Sequence, residues 1–296
     1  MTTRVIVRAP AKINLWLRVF GRDGKGYHAI ESLFQLISLT DELVCERTTG
    51  GVTLAGAPSE LGETRHNLCV KAAESFFRAS GVTGGVSITL TKRIPWNAGL
   101  GGGSSDAAAT LAALNRLYGG VLPHEELVEL GAGLGSDVPF FLTGAALALA
   151  WGRGERLLAL PALPSRPLLV APPAAPVKTQ DAYAWIDKDR TLEHTGEFAA
   201  VVPADALGSW EAVRRHSHND FESAVAGRLP AIGHWLDRLR ETDAFLVRLC
   251  GSGGAVVAIY ESERARDAAW QRLSADPKIL KGETLTAASQ LRVEDS

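Results

Sequence analysis

The stretch from Gly99 to Ser105, GLGGGSS, places four glycines and two serines in seven positions and runs directly into an alanine- and leucine-rich segment. A glycine gives up more backbone freedom on folding than any other residue, so such a concentration needs a reason. Close approach of a ligand to the main chain supplies one. Upstream, GVSITLTKRIP reads as a strand ending at Pro95, and downstream Ala107, Leu111, Leu114 and Tyr118 recur at helical spacing before Gly119 and Gly120 supply a left-handed stop. The glycines therefore lie between a strand and a helix N-terminus, where unpaired amides and the helix dipole favour an anion. Phosphate is the anion to expect.

Two common phosphate loops fail against these residues. A Walker A loop needs a lysine and then Ser or Thr directly after its last glycine, whereas Ser104 and Ser105 follow Gly103. The dinucleotide fingerprint needs a tight strand-to-helix turn, but KRIPWNA intervenes and Ser104 takes the place of the third glycine. What remains is a long phosphate-wrapping loop of another kind, or a surface loop whose helix is capped by Ser104 or Ser105. Asp106 suits the helix dipole yet repels a bound phosphate, so a nearby cation, or a side chain turned away, has to resolve it.

A chain of 296 residues, 46% hydrophobic and 22% charged, has the composition of one large or two ordinary domains with a real core. Its formal charge of −2 and pI near 6.4 create no field for nucleic acid or an anionic membrane, which leaves a small molecule as the expected partner. The basic knot RRHSH, Arg214 to His218, reads as a solvated helix face. Cys45, Cys69 and Cys250 are odd in number, far apart and without paired metal spacing, so a reducing compartment, no disulfide and a cytoplasmic location are expected. The acid-free, arginine-bearing start resembles an organellar transit peptide in charge alone, since RVIV and the residues after it alternate like a strand. The most apolar run, Val138 to Trp151, is interrupted by Thr143 and Gly144 and is too short to span a bilayer.

From Ala9 to Phe20, Ile13, Leu15, Leu17 and Val19 fall on one face of a strand, and Lys12, Asn14, Trp16 and Arg18 on the other. A turn at GRDGKG leads to a second strand, YHAIESLFQLISL, and NLCVKAAESFFRASG reads as a helix closed by Gly81. The proline-rich crossing LPALPSRPLLVAPPAAPV, Leu160 to Val177, places a domain boundary near residue 160, giving units 1–160 and 161–296. The second unit is expected to hold helices over Asp181 to Ile186, Phe221 to Arg240 and Glu263 to Ala275, with strands over Ala244 to Leu249 and Ala255 to Tyr260.

PWNAGLGGGSSDAA resembles the second signature of the GHMP kinases, and two more of their signatures are matched in order, APAKINLWL near the N-terminus and LCGSGGAVVAIY towards the C-terminus. The resemblance implies an α+β fold in two domains, the first similar to the second domain of ribosomal protein S5 and the second ferredoxin-like, with the active site in the cleft between them. It implies ATP and Mg2+ as cofactors and an alcohol as phosphoryl acceptor. The strings PAKINLWLRVFGRDGKGYHAIESLFQ, NLCVKAA, GSDVPFFL, VKTQDAY and HNDFE are similar to the branch that phosphorylates the 2-hydroxyl of a CDP-linked methylerythritol in the non-mevalonate isoprenoid route. Similarity thins between Thr191 and Arg214 and after Glu263, and Cys250 replaces the first serine of the third signature.

Phosphoryl transfer needs an aligned alcohol, neutralisation of spreading charge and an acceptor for the alcohol proton. By the resemblance Asp137 accepts that proton, and its setting among glycines and apolar residues in LGSDVPFF agrees, although a helix or turn cap is the structural alternative. Lys12 is its expected companion, with Asn14 on the same strand face. The resemblance puts Tyr27 and His28 at the sugar alcohol and cytosine ends of the acceptor, Tyr183 stacked on cytosine and Thr179 nearby; a core histidine and the buried face of a helix are the plainer readings. On the ATP side it implies Asn67 near adenine, Lys92 as a phosphate-pairing cation, Pro95 leading into the loop, and Gly99, Leu100, Gly101, Gly102, Gly103, Ser104 and Ser105 as the wrap, with one of the two serines near magnesium. No acidic residue announces itself as a metal ligand. Gly251, Ser252 and Gly253 are expected to close the site from the second unit, which a tight structural turn also permits. Hydrolase and metalloprotease chemistry lack their motifs: no serine sits in G-x-S-x-G, no H-E-x-x-H occurs, and HSH has no third ligand nearby.

Overall fold

The computed structural model describes residues 2–22, 24, 26–173, 177–189, 207–273, 278–287 and 293–295. Asp23 and Lys25 of the expected turn, three residues of the 160–177 crossing and the end of the last expected helix, at Ala275, lie outside the described residues.

Two long strands, β1 (Arg4–Arg22) and β2 (His28–Thr48), pair antiparallel and form the spine of the first unit. Both extend well beyond the alternating stretches legible in the sequence, because bulges let each strand bend and continue. The first unit continues through β3 (Gly51–Ala55), α1 (Leu68–Ser80), β4 (Gly85–Thr91), α2 (Gly102–Leu117), α3 (His124–Leu134), α4 (Val138–Leu142), β5 (Leu147–Gly152) and β6 (Arg156–Leu160). β2 carries β4 and then β3 on one stretch and β5 and then β6 on another. One face of this sheet, with Val5, Val7, Phe34 and Leu43, is covered by α1 to α4 through Phe76, Leu111, Leu114 and Phe140.

The second unit runs β7 (Pro167–Ala171), α5 (Thr179–Asp189), α6 (Trp210–His216), α7 (Phe221–Arg228), α8 (Pro230–Arg240), β8 (Leu246–Leu249), β9 (Val256–Ile259), α9 (Glu263–Leu273) and β10 (Leu280–Glu283). Its sheet order is β10-β7-β9-β8 with every pair antiparallel, the split arrangement of a ferredoxin-like unit, so the α+β expectation holds in both halves. The two sheets share a core in which Ala11, Ile13, Leu33 and Ile37 meet Leu168, Val170, Val257 and Ile259. The last strand, β11 (Val293–Asp295), returns to pair with β1 in the first sheet. Among the described residues, no helix is long and apolar enough to cross a membrane.

Two departures from the expected pattern bear on function. Strict alternation on β1 fails at a bulge between Asn14 and Trp16, where Asn14 pairs with Phe34 but Trp16 already pairs with Leu33. One extra residue reverses the faces beyond it. Trp16 therefore joins Ile13 in the shared core, whereas Leu17 turns to the side of Lys12 and Asn14. The expected helix over Phe221 to Arg240 is two helices, because Pro230 pushes Leu229 out of helical geometry to φ −123° and ψ 85°.

All three cysteines are free and fully buried, Cys45 on β2 beneath the helices, Cys69 on the inner face of α1 and Cys250 between the sheets. Burial pushes the Cys45 and Cys250 thiols up to about 12 and raises Cys69 as well. Since the thiolate is the reacting form, the native protein at pH 8 should take up no iodoacetamide over an hour and three equivalents in denaturant, counted by intact mass.

Candidate active site

The helix after the glycine run starts inside it. Gly101, at φ 70°, is the N-cap of α2 without any side-chain cap, and the first intrahelical bond runs from the Ser105 amide to the Gly101 carbonyl at 2.9 Å. The amides of Gly102, Gly103 and Ser104 therefore precede the ladder and are available to an anion. The serines sit in the first turn, not at the cap. β1 is stitched to the loop by the Lys12 amide, which donates to the Leu100 carbonyl at 2.9 Å.

Lys92 lies against the start of α2 and resolves the Asp106 puzzle. Its ammonium donates to Asp106 Oδ2 at 2.7 Å and also to Asp41, and all three side chains are nearly inaccessible. Burial disfavours the Lys92 charge, but the two carboxylates outweigh it and hold the ammonium above its ordinary range. Asp106 is raised to about 7, chiefly by burial, against the pull of Lys92 and with the Asp41 charge adding to the rise. Asp41 anchors the approach to the loop by accepting from the amides of Arg93 at 2.6 Å and Ile94 at 2.8 Å.

The loop is a partition between two cavities. One, of about 400 Å³, is lined by Asn67, Lys92, Pro95, Gly102, Gly103 and Asp106 together with Trp96 and Leu100. The other, of about 320 Å³, is lined by Lys12, Asn14, Asp137, Arg153, Tyr183 and Ser252 among others. Gly99, Gly101, Ser104 and Thr179 face both, so two ligands seated on either side would meet at the loop. The second unit closes this region directly: the Ala255 amide donates to the Ala98 carbonyl at 3.2 Å, and Gly251 and Gly253 pack on the backbone of Ala98 and Gly99.

In the second cavity Lys12 Nζ lies 3.5 Å from Asp137 Oδ2 and donates to Asn14 Oδ1 at 2.8 Å. Asn14 passes the constraint on to Ser32 at 2.7 Å, and Ser32 bonds the Trp16 carbonyl at 2.6 Å. Lys12 is buried, with its ammonium 4.7 Å from the centre of the Phe34 ring, while Asp137 keeps about a quarter of its side chain exposed towards the cavity. Asp137 precedes α4 but makes no side-chain capping bond, so the cap reading does not account for it. The arrangement is a fixed cation beside an accessible carboxylate, which suits withdrawal of a proton from an alcohol and stabilisation of the oxygen left behind.

The far end of this cavity is aromatic. His28 stacks on Tyr183 at 5.0 Å and 13° between planes, and Phe221 meets Tyr183 edge-on at 4.9 Å. His28 Nδ1 is 2.7 Å from the Phe20 carbonyl and Nε2 is 3.0 Å from Asp187, so acceptors meet both nitrogens. Asp187 is disfavoured as an anion by burial, yet the bonds from Arg22 and His28 hold its carboxyl below the usual range. Burial, with the Asp137 charge adding, pushes the Tyr183 phenol up to about 12 and keeps it neutral.

The expected residues are thus divided. Asn67, Lys92, Pro95, Gly99, Leu100, Gly101, Gly102, Gly103 and Ser104 line the first cavity, and Lys12, Asn14, Asp137, Thr179 and Tyr183 the second. Asn67 also caps α1 by accepting from the Cys69 amide at 2.9 Å. Ser105 is buried behind the loop and lines neither cavity. His28 faces an outer concavity, and Tyr27 is 57% exposed beneath the Arg153 guanidinium. Asp41, Trp96 and Arg153 are not singled out by the sequence: Asp41 is one of four acids on β2, with Glu31, Glu42 and Glu46, and the flanking glycines of Gly152-Arg153-Gly154 are the one visible sign of a shaped turn. A separate concavity of about 540 Å³ around Glu222, Arg240 and Arg248 lies away from the loop, and its charges are taken up by one another and by Ser217.

Residues 67–145 match the family model of the GHMP kinases N terminal domain, and residues 203–279 match GHMP kinases C terminal. A Salinibacter ruber protein named 4-diphosphocytidyl-2-C-methyl-D-erythritol kinase is 38% identical over 285 residues, spanning 94% of this chain and 97% of the relative. A Chlorobium phaeobacteroides protein of the same name is 38% identical over 260 residues, 88% of this chain and 90% of its own. Among solved structures, a 4-(cytidine 5'-diphospho)-2C-methyl-D-erythritol kinase superposes with a TM-score of 0.79 at 37% identity, covering 94% of this chain and 98% of that one. A homoserine kinase from Cytophaga hutchinsonii superposes at 0.71 with 20% identity, a likeness of fold alone.

Proposed function

The chain belongs to the GHMP kinases, and from that premise we propose how its two cavities divide the substrates. It is a small-molecule kinase that uses ATP to phosphorylate the 2-hydroxyl of 4-diphosphocytidyl-2-C-methyl-D-erythritol in the non-mevalonate isoprenoid route. ATP occupies the cavity beside Asn67 and Lys92, its phosphates running along the amides at the start of α2 towards Ser104. The acceptor occupies the cavity beside Asn14, with its hydroxyl at Asp137 and its base towards Tyr183. The observation that carries this division is the glycine partition shared by both cavities, with the Lys12 and Asp137 pair on one side of it.

Asp137 takes the hydroxyl proton as the oxygen attacks the γ-phosphate, and Lys12 stabilises the negative charge developing on that oxygen. Asn14 and Ser32 keep the Lys12 ammonium from swinging away. The loop amides stabilise the charge that spreads over the phosphate oxygens without reorganising, which is the main service a kinase renders. Magnesium fits the same place. Ser104 opens on both cavities, and Asp106, whose Oδ1 has no hydrogen-bond partner, lines the nucleotide one, so a hydroxyl and a carboxylate of the hard kind this ion takes are present there. When bound, it neutralises charge on the transferring phosphates.

The direct test is purified protein with ATP, magnesium and a panel of alcohols, followed by phosphate-transfer product analysis. Transfer to the cytidine-linked acceptor supports the assignment. Transfer to mevalonate or a free sugar in preference, or nucleotide binding without turnover, overturns it. Tyr183→Ala should raise KM for the cytidine-linked acceptor roughly tenfold, the worth of a stacked base, and leave KM for ATP within about twofold. An equal rise in both constants would remove Tyr183 from the acceptor side.

A further inference from the structure

We propose that Asn219 is a positioning residue for phosphoryl transfer, an inference that rests on the reaction assigned above: its buried amide sets the glycine turn of the second unit against the strand that carries Lys12 and Asn14. Asn219 lies in HNDFE, between α6 and α7, and is 4% exposed. Its hydrogen bonds fix which way the amide points. Nδ2 donates to the Leu249 carbonyl at 2.8 Å and to the Gly251 carbonyl at 3.0 Å, while Oδ1 accepts from the Phe221 amide at 2.9 Å. A carbonyl only accepts and a backbone amide only donates, so neither a carboxylate nor a hydroxyl replaces all three bonds.

These bonds reach two walls of the acceptor cavity. Gly251 lines it and, at φ 56°, packs where the units meet: a Cβ there would lie 3.4 Å from Gly99 Cα and 3.5 Å from Asn14 Oδ1, the atom that accepts from Lys12. Phe221 lines the cavity too, edge-on to Tyr183. The backbone on either side of Asn219 is pinned to β1, with the Leu17 amide donating to the His218 carbonyl at 2.7 Å and the Asp220 amide to the Leu17 carbonyl at 3.0 Å. One side chain therefore relates the turn, the aromatic wall and the catalytic strand to one another. An apolar residue would fill the space without the cost of burying an amide. What the amide adds is direction, because it holds the carbonyls on either side of Cys250 and so fixes the turn where Gly99 and Asn14 meet it. Phosphoryl transfer depends on alignment of this kind, and a misplacement of about 1 Å can cost about 100-fold in rate. The nucleotide loop has anchors of its own, the Lys12 amide on the Leu100 carbonyl and Asp41 on the amides of Arg93 and Ile94.

The test compares Asn219→Ser and Asn219→Ala with wild type and with Asn115→Ala, by single-turnover kinetics, KM for the cytidine-linked acceptor, calorimetric binding of a non-hydrolysable ATP analogue and thermal melting. Asn115 is the matched control: it makes the same kind of amide contacts, both at 3.0 Å to the Leu122 backbone, at the far end of α2. A serine hydroxyl still accepts from the amide two residues on but is too short to hold both carbonyls. Asn219→Ser should therefore lower the single-turnover rate roughly tenfold or more, with acceptor KM and analogue binding within about threefold. Asn219→Ala frees the aromatic wall as well, and should also raise acceptor KM by about fivefold or more. Asn115→Ala should lose comparable thermal stability and keep its kinetic constants within about twofold. A rate within about threefold of wild type in folded Asn219→Ser overturns the proposal, as does a loss of analogue affinity as large as the loss of rate. Failure of both Asn219 variants to fold overturns it too, since Asn219 would then be a support of the second unit alone. A wild type that transfers no phosphate to the cytidine-linked acceptor overturns the assigned reaction and this proposal with it, a failure seen before any variant is compared.

Discussion

Asp137→Asn is expected to lower kcat by about 100-fold or more, the usual cost of removing a positioned general base, while the dissociation constant for ATP stays within about threefold. The two halves of this expectation come from different walls of the site. Asp137 lines only the acceptor cavity, so nothing that holds the nucleotide is altered. The amide keeps the shape of the carboxylate, and no side-chain capping bond is lost, so α4 should stay in place. What disappears is the only carboxylate among the described residues lining that cavity, the one 3.5 Å from Lys12. A hundredfold change corresponds to about 2.7 kcal/mol in the activation barrier. Single-turnover kinetics with saturating ATP isolates that step from product release. Turnover within about threefold of wild type would mean that the proton leaves by another route and that Asp137 only shapes the cavity.

The parts of this site legible in the sequence were those in which one local rule suffices. The loop and its helix could be located because glycine clustering, helical spacing and the double-glycine stop lie in one continuous stretch, and the structure differs only in starting α2 at Gly102, inside the run. The pairing of Lys12 with Asn14 follows from period-two alternation, but the same rule misplaced Trp16 and Leu17, because a bulge is fixed by the register of the partner strand. Pro230 carried a break signal that the amphipathic pattern around it masked. Asp41 and Arg153 were out of reach for a different reason. Each acts on a segment distant in sequence: Asp41 on the residues that lead into the loop, Arg153 beside Tyr27 and Asp137. Such meaning appears only when the sheet brings the segments together. Tyr27 shows the reverse case, a residue expected at the ligand that the structure places outside the inner cavity, covered by Arg153.

Gly99→Ala should damage stability and both binding sites at once, whereas Gly103→Ala, four residues on, should leave the fold intact. Gly99 sits at φ 80°, where an L side chain costs about 1–2 kcal/mol. Its missing side chain is also filled space: a Cβ would lie 1.8 Å from the Cys250 carbonyl oxygen and 3.1 Å from the Gly253 nitrogen. Those atoms belong to backbone held by the shared core, so relief requires the turn of the second unit to lift away, and overpacking of this kind adds about 1–3 kcal/mol. The sum, roughly 2–5 kcal/mol, should lower Tm by about 5–15 °C in a protein of this size. At Gly103 a new Cβ would touch only the Leu68 side chain, at 3.7 Å, in ordinary helical backbone. Calorimetric melting of both variants, with nucleotide and acceptor titrations well below Tm, separates the effects. Because Gly99 faces both cavities, its variant should lose affinity for ATP and for the acceptor together. If Gly99→Ala melts within about 2 °C of wild type, the two glycine turns are not in rigid contact, and closure of the site from the second unit must depend on something other than their fit.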